Sequence, residues 1–205
     1  MISLTDAQLN TWLINFIWPL TRILGLIMVA PVFGHRAVPG RVKIGLGIFI
    51  TLIIAPTLPP MPDVGLGSWH GLFILVQQLL IGVAIGFIMR IVFAAVEAAG
   101  EIVGLQMGLG FASFFDPQSA GQTLVLARFF NLLALLVFVA VNAHLLLLGV
   151  LVESFQSLPI SPQPLSAAGF YNVAAFRSTV FAVGLQLALP VIAIMLMTNL
   201  SLGIL

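Results

Sequence analysis

The sequence consists mainly of apolar runs that are each long enough to cross a lipid bilayer as a helix. About 20 consecutive apolar residues span the hydrocarbon core of a membrane. The chain of 205 residues contains runs of this kind at approximately 8–33, 42–58, 71–96, 123–153 and 173–205. Only 6% of the residues are charged, whereas soluble domains contain about 25%. We therefore expect an all-α integral-membrane protein, with about five long helices in one helical domain over residues 1–205.

Proline interrupts the first and the last of these runs. Pro19 and Pro190 each remove a backbone hydrogen bond from a helix, so both helices should be kinked. The first run also contains a cation, Arg22. The last run ends at Leu205 on apolar residues without a charged anchor, and membrane proteins seldom end in this way. We therefore expect the chain to be truncated at its C-terminus.

The densest group of basic residues follows the first apolar run. Arg36, Arg41 and Lys43 lie close together there, and short loops with an excess of lysine and arginine stay on the cytoplasmic side of a membrane. This rule predicts a cytoplasmic turn and places the loop that contains Asp63 on the opposite side.

The composition excludes several classes of function. The net charge is +1 and the seven basic residues are scattered, so the chain lacks the basic patch of a protein whose partner is nucleic acid. It contains no cysteine and none of the common catalytic or nucleotide-binding motifs. His144 has no second ligand at metal-binding spacing, which favours a hydrogen-bonded packing role. We expect no enzyme activity, no catalytic or metal-binding residue and no cofactor.

Glycines recur at helical spacing in the third run. Gly100, Gly104 and Gly108 follow one another at intervals of four residues, and Gly82 and Gly86 form a second pair. In an apolar helix this spacing makes a stripe along which another helix backbone can approach closely. The pattern predicts close helix packing.

Three charged residues in the same run share one helical face. Arg90, Glu97 and Glu101 are separated by seven and four residues, spacings that return to nearly the same direction on a helix. A charge near hydrocarbon is costly unless it pairs or meets water. The three residues form either a polar seam that faces a pore or a partner subunit, or the end of a helix that has emerged among the lipid headgroups.

An irregular stretch joins the third and fourth runs. Residues 108–122 combine three phenylalanines, Phe111, Phe114 and Phe115, with glycines and an Asp116-Pro117 turn. Non-helical backbone at membrane depth is tolerated only inside protein or around a water-filled cavity. The stretch is suited to a re-entrant plug that closes a pore, and a loop that rests its aromatic rings on the headgroups is an equally physical alternative.

Motifs along most of the chain resemble the FliR/SctT family of type III protein-export gates. The resemblance rests on these segments: Gly104-Leu105-Gln106-Met107-Gly108, Phe111-Ala112, Asp116-Pro117, Asn142-Ala143-His144, Glu153-Ser154-Phe155, Leu158-Pro159 and Leu187-Ala188-Leu189-Pro190-Val191. The Asn-x-His and Ser-Phe-x-x-Leu-Pro elements look more like the flagellar branch than the injectisome branch.

The resemblance implies a multi-pass subunit of the flagellar export gate, in the bacterial inner membrane and the flagellar basal body. It implies assembly with FliP and FliQ homologues, docking of an FlhB homologue, and unfolded flagellar proteins as export substrates. It also implies that the assembled gate is held largely above the membrane plane. The helices of such a gate need not all lie in lipid.

A different class of function remains open on the residues alone. A small-solute transporter would place Arg90, Glu97 and His144 along its path. Transporters often contain internal repeats with matched broken helices, and Pro19 and Pro190 form the only rough pair here. A transporter should be self-sufficient as a monomer or homo-oligomer, whereas a gate subunit should purify with other hydrophobic export proteins.

Overall fold

The structure is a computed structural model that describes residues 6–62, 64–108, 125–164 and 167–204. Its regular structure over these ranges is helical, which confirms the predicted all-α fold with several long apolar helices. The α-helices are α1 (Asp6–Val29), α2 (Gly40–Ile54), α3 (Trp69–Gln106), α4 (Val125–Ala140), α5 (Ala143–Ser157), α6 (Ala167–Ala175) and α7 (Thr179–Ile204). A short 3-10 turn, Ala55–Thr57, follows α2, and a second, Phe176–Ser178, precedes α7.

Four segments of the described chain are long and apolar enough to cross a membrane. They are Asn10–Val29, Gly40–Thr57, Trp69–Gln106 and Tyr171–Gly203. The pair α4 and α5 meets the same criterion only when its two helices are taken together, which gives up to five spans. The expected number of about five helices agrees with this upper count.

The fourth apolar run differs from a single continuous helix. Asn142 has a φ of 56°, in the left-handed region that asparagine tolerates better than most residues. Its amide donates to the carbonyl oxygen of Val139 at 3.0 Å, three residues back instead of four, so the last turn of α4 is tightened. The run predicted as 123–153 is therefore divided into α4 and α5.

Contacts divide the chain into two compact units. The first comprises Met1–Arg90 and Ala143–Val173, and the second comprises Ile91–Asn142 and Ala174–Leu205. Helix α3 continues from the first into the second. The expectation of one helical domain over 1–205 stays a prediction.

The first unit is built around α1. Its main apolar cluster consists of Ile23, Leu26, Ile27, Ala30, Ile50, Ile54, Leu147, Leu151 and Phe155. Helix α3 packs on α1 through glycines: a Cβ on Gly25 would lie 2.8 Å from the carbonyl oxygen of Leu79, and one on Gly82 would overlap the carbonyl oxygen of Arg22. This close approach agrees with the packing predicted for the Gly82 pair.

The second unit packs the C-terminal half of α3 against α4 and α7. Ala99, Val103 and Ala188 form its buried cluster, and Gly184 faces the carbonyl oxygen of Ala95. Small residues at these positions allow backbones to approach, which is how helices associate where lipid offers no hydrophobic driving force.

Candidate functional site

A cation is buried in the middle of α1. Arg22 has no solvent-exposed surface, and the neighbouring Trp18 and Ile23 are also fully buried. Burying an arginine costs several kcal/mol unless hydrogen bonds satisfy its donors, at roughly 1–3 kcal/mol for each buried group left unpaired. The surroundings of Arg22 therefore determine whether this part of the fold is stable.

Helices α3 and α5 satisfy the guanidinium. Its Nε donates to the Oε1 of Gln78 at 2.8 Å, and Nη1 donates to the carbonyl oxygen and the Oγ of Ser154 at 2.8 and 3.1 Å. Nη2 donates to the carbonyl oxygen of Leu158 at 2.8 Å. The guanidinium carbon also lies 4.1 Å from the centroid of the Phe155 ring. We call Arg22, Gln78, Ser154, Phe155 and Leu158 the arginine cluster.

The charge of Arg22 is compensated by a helix end. The carbonyl oxygens of Ser154 and Leu158 lie in and just beyond the last turn of α5, where the helix dipole is negative. The Ser154 carbonyl also accepts from the amide of Leu158 at 3.0 Å, so Arg22 is its second donor. A cation is favourable at this position. Arg22 therefore acts as a long-range cap that fixes the end of α5 against α1.

The segment that follows α5 is tied down a second time. Gln77, beside Gln78 on α3, donates through Nε2 to the carbonyl oxygen of Gln163 at 2.6 Å. The segment between these two ties contains Pro159 and Pro162, and proline has no N–H that would need an acceptor. Side chains of α1 and α3 donate to the carbonyls of this non-helical segment, and its prolines lack amides that would need acceptors. The segment can therefore pack against the apolar clusters through Ile160.

A small apolar cavity adjoins the arginine cluster. Its volume is about 70 Å³, roughly half of the ~150 Å³ of an apolar cavity that binds benzene. It is lined by Leu58, Pro59, Pro60, Met61, Phe155, Pro159 and Ile160. The cavity is too small to hold a metabolite.

Sequence reasoning noted Arg22 but did not assign it a role. The signal was present, because a lone cation inside an apolar run must find partners, and Gln77-Gln78 is the most polar pair in the third run. Its other partners, Ser154 and Leu158, lie 132 and 136 residues farther along the chain. No local sequence pattern predicts contacts between residues so far apart in the chain.

The residues of the predicted polar seam lie on α3 in different surroundings. Arg90 and Glu101 are exposed, and Glu97 is half-buried. The Oε2 of Glu97 accepts a hydrogen bond of 3.4 Å from the Nδ2 of Asn131 on α4, a partner that sequence reasoning missed. Whether these residues face a pore or a headgroup region stays a prediction.

The predicted glycine stripe extends along the last part of α3 and past its end. A Cβ on Gly100 would lie 2.7 Å from the Cα of Ala127, so α4 crosses here at backbone contact. Gly104 is buried. Gly108 lies beyond the helix end at Gln106 and has a φ of 75°, the left-handed conformation in which glycine commonly terminates helices.

Two predicted features fall outside the described residues. The candidate plug residues Phe111, Phe114, Phe115, Asp116 and Pro117 lie between residues 108 and 125, and Asp63 lies in the loop after α2. Both assignments stay predictions. His144 is described, and it lies half-buried in the first turn of α5.

Comparisons with known proteins give consistent results. Residues 13–205 match the model of a family described as bacterial export proteins, family 1. The chain is 49% identical over 205 residues to the flagellar biosynthetic protein FliR of Escherichia coli (strain K12) and 46% identical to that of Pectobacterium carotovorum subsp. carotovorum, covering all of this chain and 78% of each relative. It is 31% identical over 192 residues to the FliR protein of Bacillus subtilis (strain 168), covering 92% of this chain and 74% of the relative.

Proposed function

Because the chain belongs to the bacterial export proteins of family 1, together with the FliR proteins of flagellar biosynthesis, we propose that it is a subunit of the flagellar type III protein export gate. In this role it helps to form and close the pore through which unfolded flagellar proteins cross the inner membrane. The family match over residues 13–205 carries the proposal.

The distribution of apolar surface supports a subunit that is covered by lipid or by other helices. Phe181, Met197 and Leu200 on α7 are each at least 66% exposed. Contiguous apolar patches of this kind mark protein or membrane interaction sites. We propose that FliP and FliQ homologues cover part of this surface, that an FlhB homologue docks on the assembly, and that the assembly lies in the inner membrane within the basal body.

The closing element of the proposed gate is the segment from Phe111 to Gln122. Helix α3 ends at Gln106, and Gly108, three residues before Phe111, takes a left-handed conformation. Helix α4 begins at Val125. The phenylalanines in the segment offer apolar rings of the kind that seal narrow pores by excluding water. The chain itself is proposed to have no catalytic role, so other components of the machine supply the energy.

A genetic replacement tests the proposal. In an Escherichia coli strain that lacks its own FliR protein, this chain, joined to the part of that protein that it does not match, should restore secretion of flagellar proteins into the medium. When solubilised in mild detergent, it should also purify with other hydrophobic export proteins of the host. Membrane insertion without secretion and without co-purifying proteins would contradict the proposal.

The alternative, a small-solute transporter, is not favoured by the family comparisons. It predicts a different result in the same experiment. A transporter would be recovered as a monomer or homo-oligomer, and expression would change solute uptake without restoring secretion.

A further inference from the structure

The turn between α1 and α2 presents cations on a fixed backbone. The amide of Gly34 donates to the carbonyl oxygen of Ala30 at 2.7 Å, and the amide of Val38 donates to that of His35 at 3.1 Å. Lys43 reaches back from α2 and donates through Nζ to the carbonyl oxygen of Gly34 at 2.9 Å. The turn therefore holds a defined shape, and Lys43 is part of its scaffold.

The two arginines of this turn are left for an external partner. Arg36 and Arg41 are exposed, and the sequence contains no acidic residue between Asp6 and Asp63. Outside α1, the described residues of the first unit include one acidic residue, Glu153. It is next to the Ser154 that binds Arg22. Nearby carboxylates that would compensate the arginines are thus missing from the described part of this unit, which favours an anionic partner.

The position and the neighbours of the two arginines indicate which kind of anion binds them. The turn follows one membrane-capable segment, Asn10–Val29, and precedes another, Gly40–Thr57. When these two segments cross a bilayer, the turn between them lies at the membrane boundary. Val42 and Ile44 on the first turns of α2 are 56% and 49% exposed. Exposed cations beside exposed apolar side chains at the end of a span suit a lipid, whose phosphate is anionic and whose chains are apolar.

We propose that the turn from Gly34 to Ile44 binds an anionic membrane lipid, with Arg36 and Arg41 on the headgroup phosphate and with Val42 and Ile44 against the first part of the acyl chains. The N-terminus of α2 adds a partial positive charge, because Pro39 supplies no side-chain cap to its free amides. A soluble phosphate would meet the same arginines in water, where ions screen exposed charges strongly. A lipid is concentrated at this boundary by the bilayer itself.

Fluorescence resonance energy transfer in nanodiscs measures the preference of the turn for an anionic lipid. The chain contains no cysteine, and a Cβ at Gly45 meets nothing within 4 Å, so Gly45→Cys provides a donor-dye site beside the turn. The full chain carrying this dye is placed in phosphatidylcholine nanodiscs with a small fraction of acyl-labelled phosphatidylglycerol or, in parallel, acyl-labelled phosphatidylcholine. The ratio of the two transfer signals gives the local enrichment of the anionic lipid.

We expect the anionic lipid to be enriched, and each of Arg36→Gln and Arg41→Gln to weaken its binding about five-fold. Arg36→Lys combined with Arg41→Lys should retain most of the enrichment, since the charges persist. Arg90→Gln removes an exposed charge on α3, outside the turn, and should lower the ratio far less. Raising the salt concentration should lower the enrichment, because it shortens the range of electrostatic attraction.

Three results would overturn the proposal. The first is an unchanged ratio in the double glutamine variant, and the second is an equal loss in Arg90→Gln. The third is loss of the enrichment when millimolar inorganic phosphate is added, which would assign the arginines to a soluble anion. The glutamine variants change exposed side chains only, so an unchanged unfolding temperature is expected to accompany the loss of lipid.

Discussion

The Nη1 atom of Arg22 in α1 lies 2.8 Å from the carbonyl oxygen of Ser154 near the end of α5. This contact joins a cation inside an apolar helix to the negative end of a helix that is distant in sequence. The arginine gains an acceptor, and the Ser154 carbonyl gains a second donor beside the amide of Leu158. The first unit thus depends on a polar contact at its centre as well as on apolar packing.

Replacing Arg22 by methionine should destabilise the protein severely. The change leaves the side-chain oxygen of Gln78 and the carbonyl oxygen of Leu158 without their donor, whereas the Ser154 carbonyl keeps the amide of Leu158. Each buried group left unsatisfied costs about 1–3 kcal/mol. A loss of about 3 kcal/mol corresponds to a fall in unfolding temperature of at least about 6 °C for a chain of this size. Thermal unfolding in detergent measures it.

Arg41→Met is the matched control for this variant. Arg41 is exposed, so the same change there should alter stability by no more than about 0.5 kcal/mol. Arg22→Lys should fall between wild type and Arg22→Met, because an ammonium lacks the fork that reaches three partners at once. Equal unfolding temperatures for Arg22→Met and Arg41→Met would mean that the arginine cluster does not stabilise the fold.

The extents of the long helices followed from the sequence, and the contacts that join them did not. Apolar runs gave the positions of α1 and α2 and the start of α3 within a few residues, because length and hydropathy are local properties. Helix α3 ends at Gln106, ten residues beyond the predicted end of its run. The partners of Arg22 and the contact between Gly100 and Ala127 depend on how distant segments meet. The break at Asn142 was missed for another reason: an asparagine in an apolar run fits a continuous helix almost as well as a left-handed turn.

Gly100→Ala should destabilise the second unit. The added methyl would lie 2.7 Å from the Cα of Ala127 and 3.0 Å from the carbonyl oxygen of Leu126, which are backbone atoms that cannot rotate away. Overpacking of this kind costs about 1–3 kcal/mol. Gly45→Ala is the control, since its methyl meets open space and alanine favours a helix by up to about 1 kcal/mol. Unfolding temperatures that change in the same direction for both variants would argue against close packing at Gly100.

Glu97 should contribute to stability through its hydrogen bond with Asn131. Glu97→Gln keeps an acceptor for the Nδ2 of Asn131 and should leave the unfolding temperature nearly unchanged. Glu97→Leu removes the acceptor, and we expect a loss of about 0.5–1.5 kcal/mol, the usual net value of one hydrogen bond. Thermal unfolding in detergent measures both variants. Equal effects of the two substitutions would show that the hydrogen bond of 3.4 Å between Asn131 and Glu97 does not stabilise the protein.

The turn between α1 and α2 should lie in the cytoplasm. Single cysteines at Ala37 and Val64 report its side, since the chain has no cysteine of its own. An impermeant thiol reagent applied to intact cells whose outer membrane has been permeabilised should spare position 37 and label position 64. Ala37 is exposed, so it should react fully once the inner membrane is opened. The reverse pattern in intact cells would invert the assigned orientation.

The segment from Phe111 to Gln122 should close the export path at rest. Burial of one phenylalanine ring contributes roughly 1.5–3 kcal/mol, so Phe111, Phe114 and Phe115 together would hold the closed state by several kcal/mol. A driven substrate can overcome such a barrier, whereas water and ions are excluded by the apolar constriction. Replacing the three rings by alanine should leave assembly intact and make the inner membrane leak small ions.

An ion-flux assay on cells that express the complete complex measures this leak. The control replaces three exposed phenylalanines of the described helices, Phe49, Phe129 and Phe176, by alanine. It removes the same number of rings from outside the segment, so it should not increase ion flux in an assembled complex. Co-purification of the partner subunits must be equal for both triple variants, because a poorly assembled complex gives no information on gating. A correctly assembled Phe111/Phe114/Phe115 variant that leaks no more than wild type would refute the plug and leave the segment as an interfacial loop, with its rings on the headgroups.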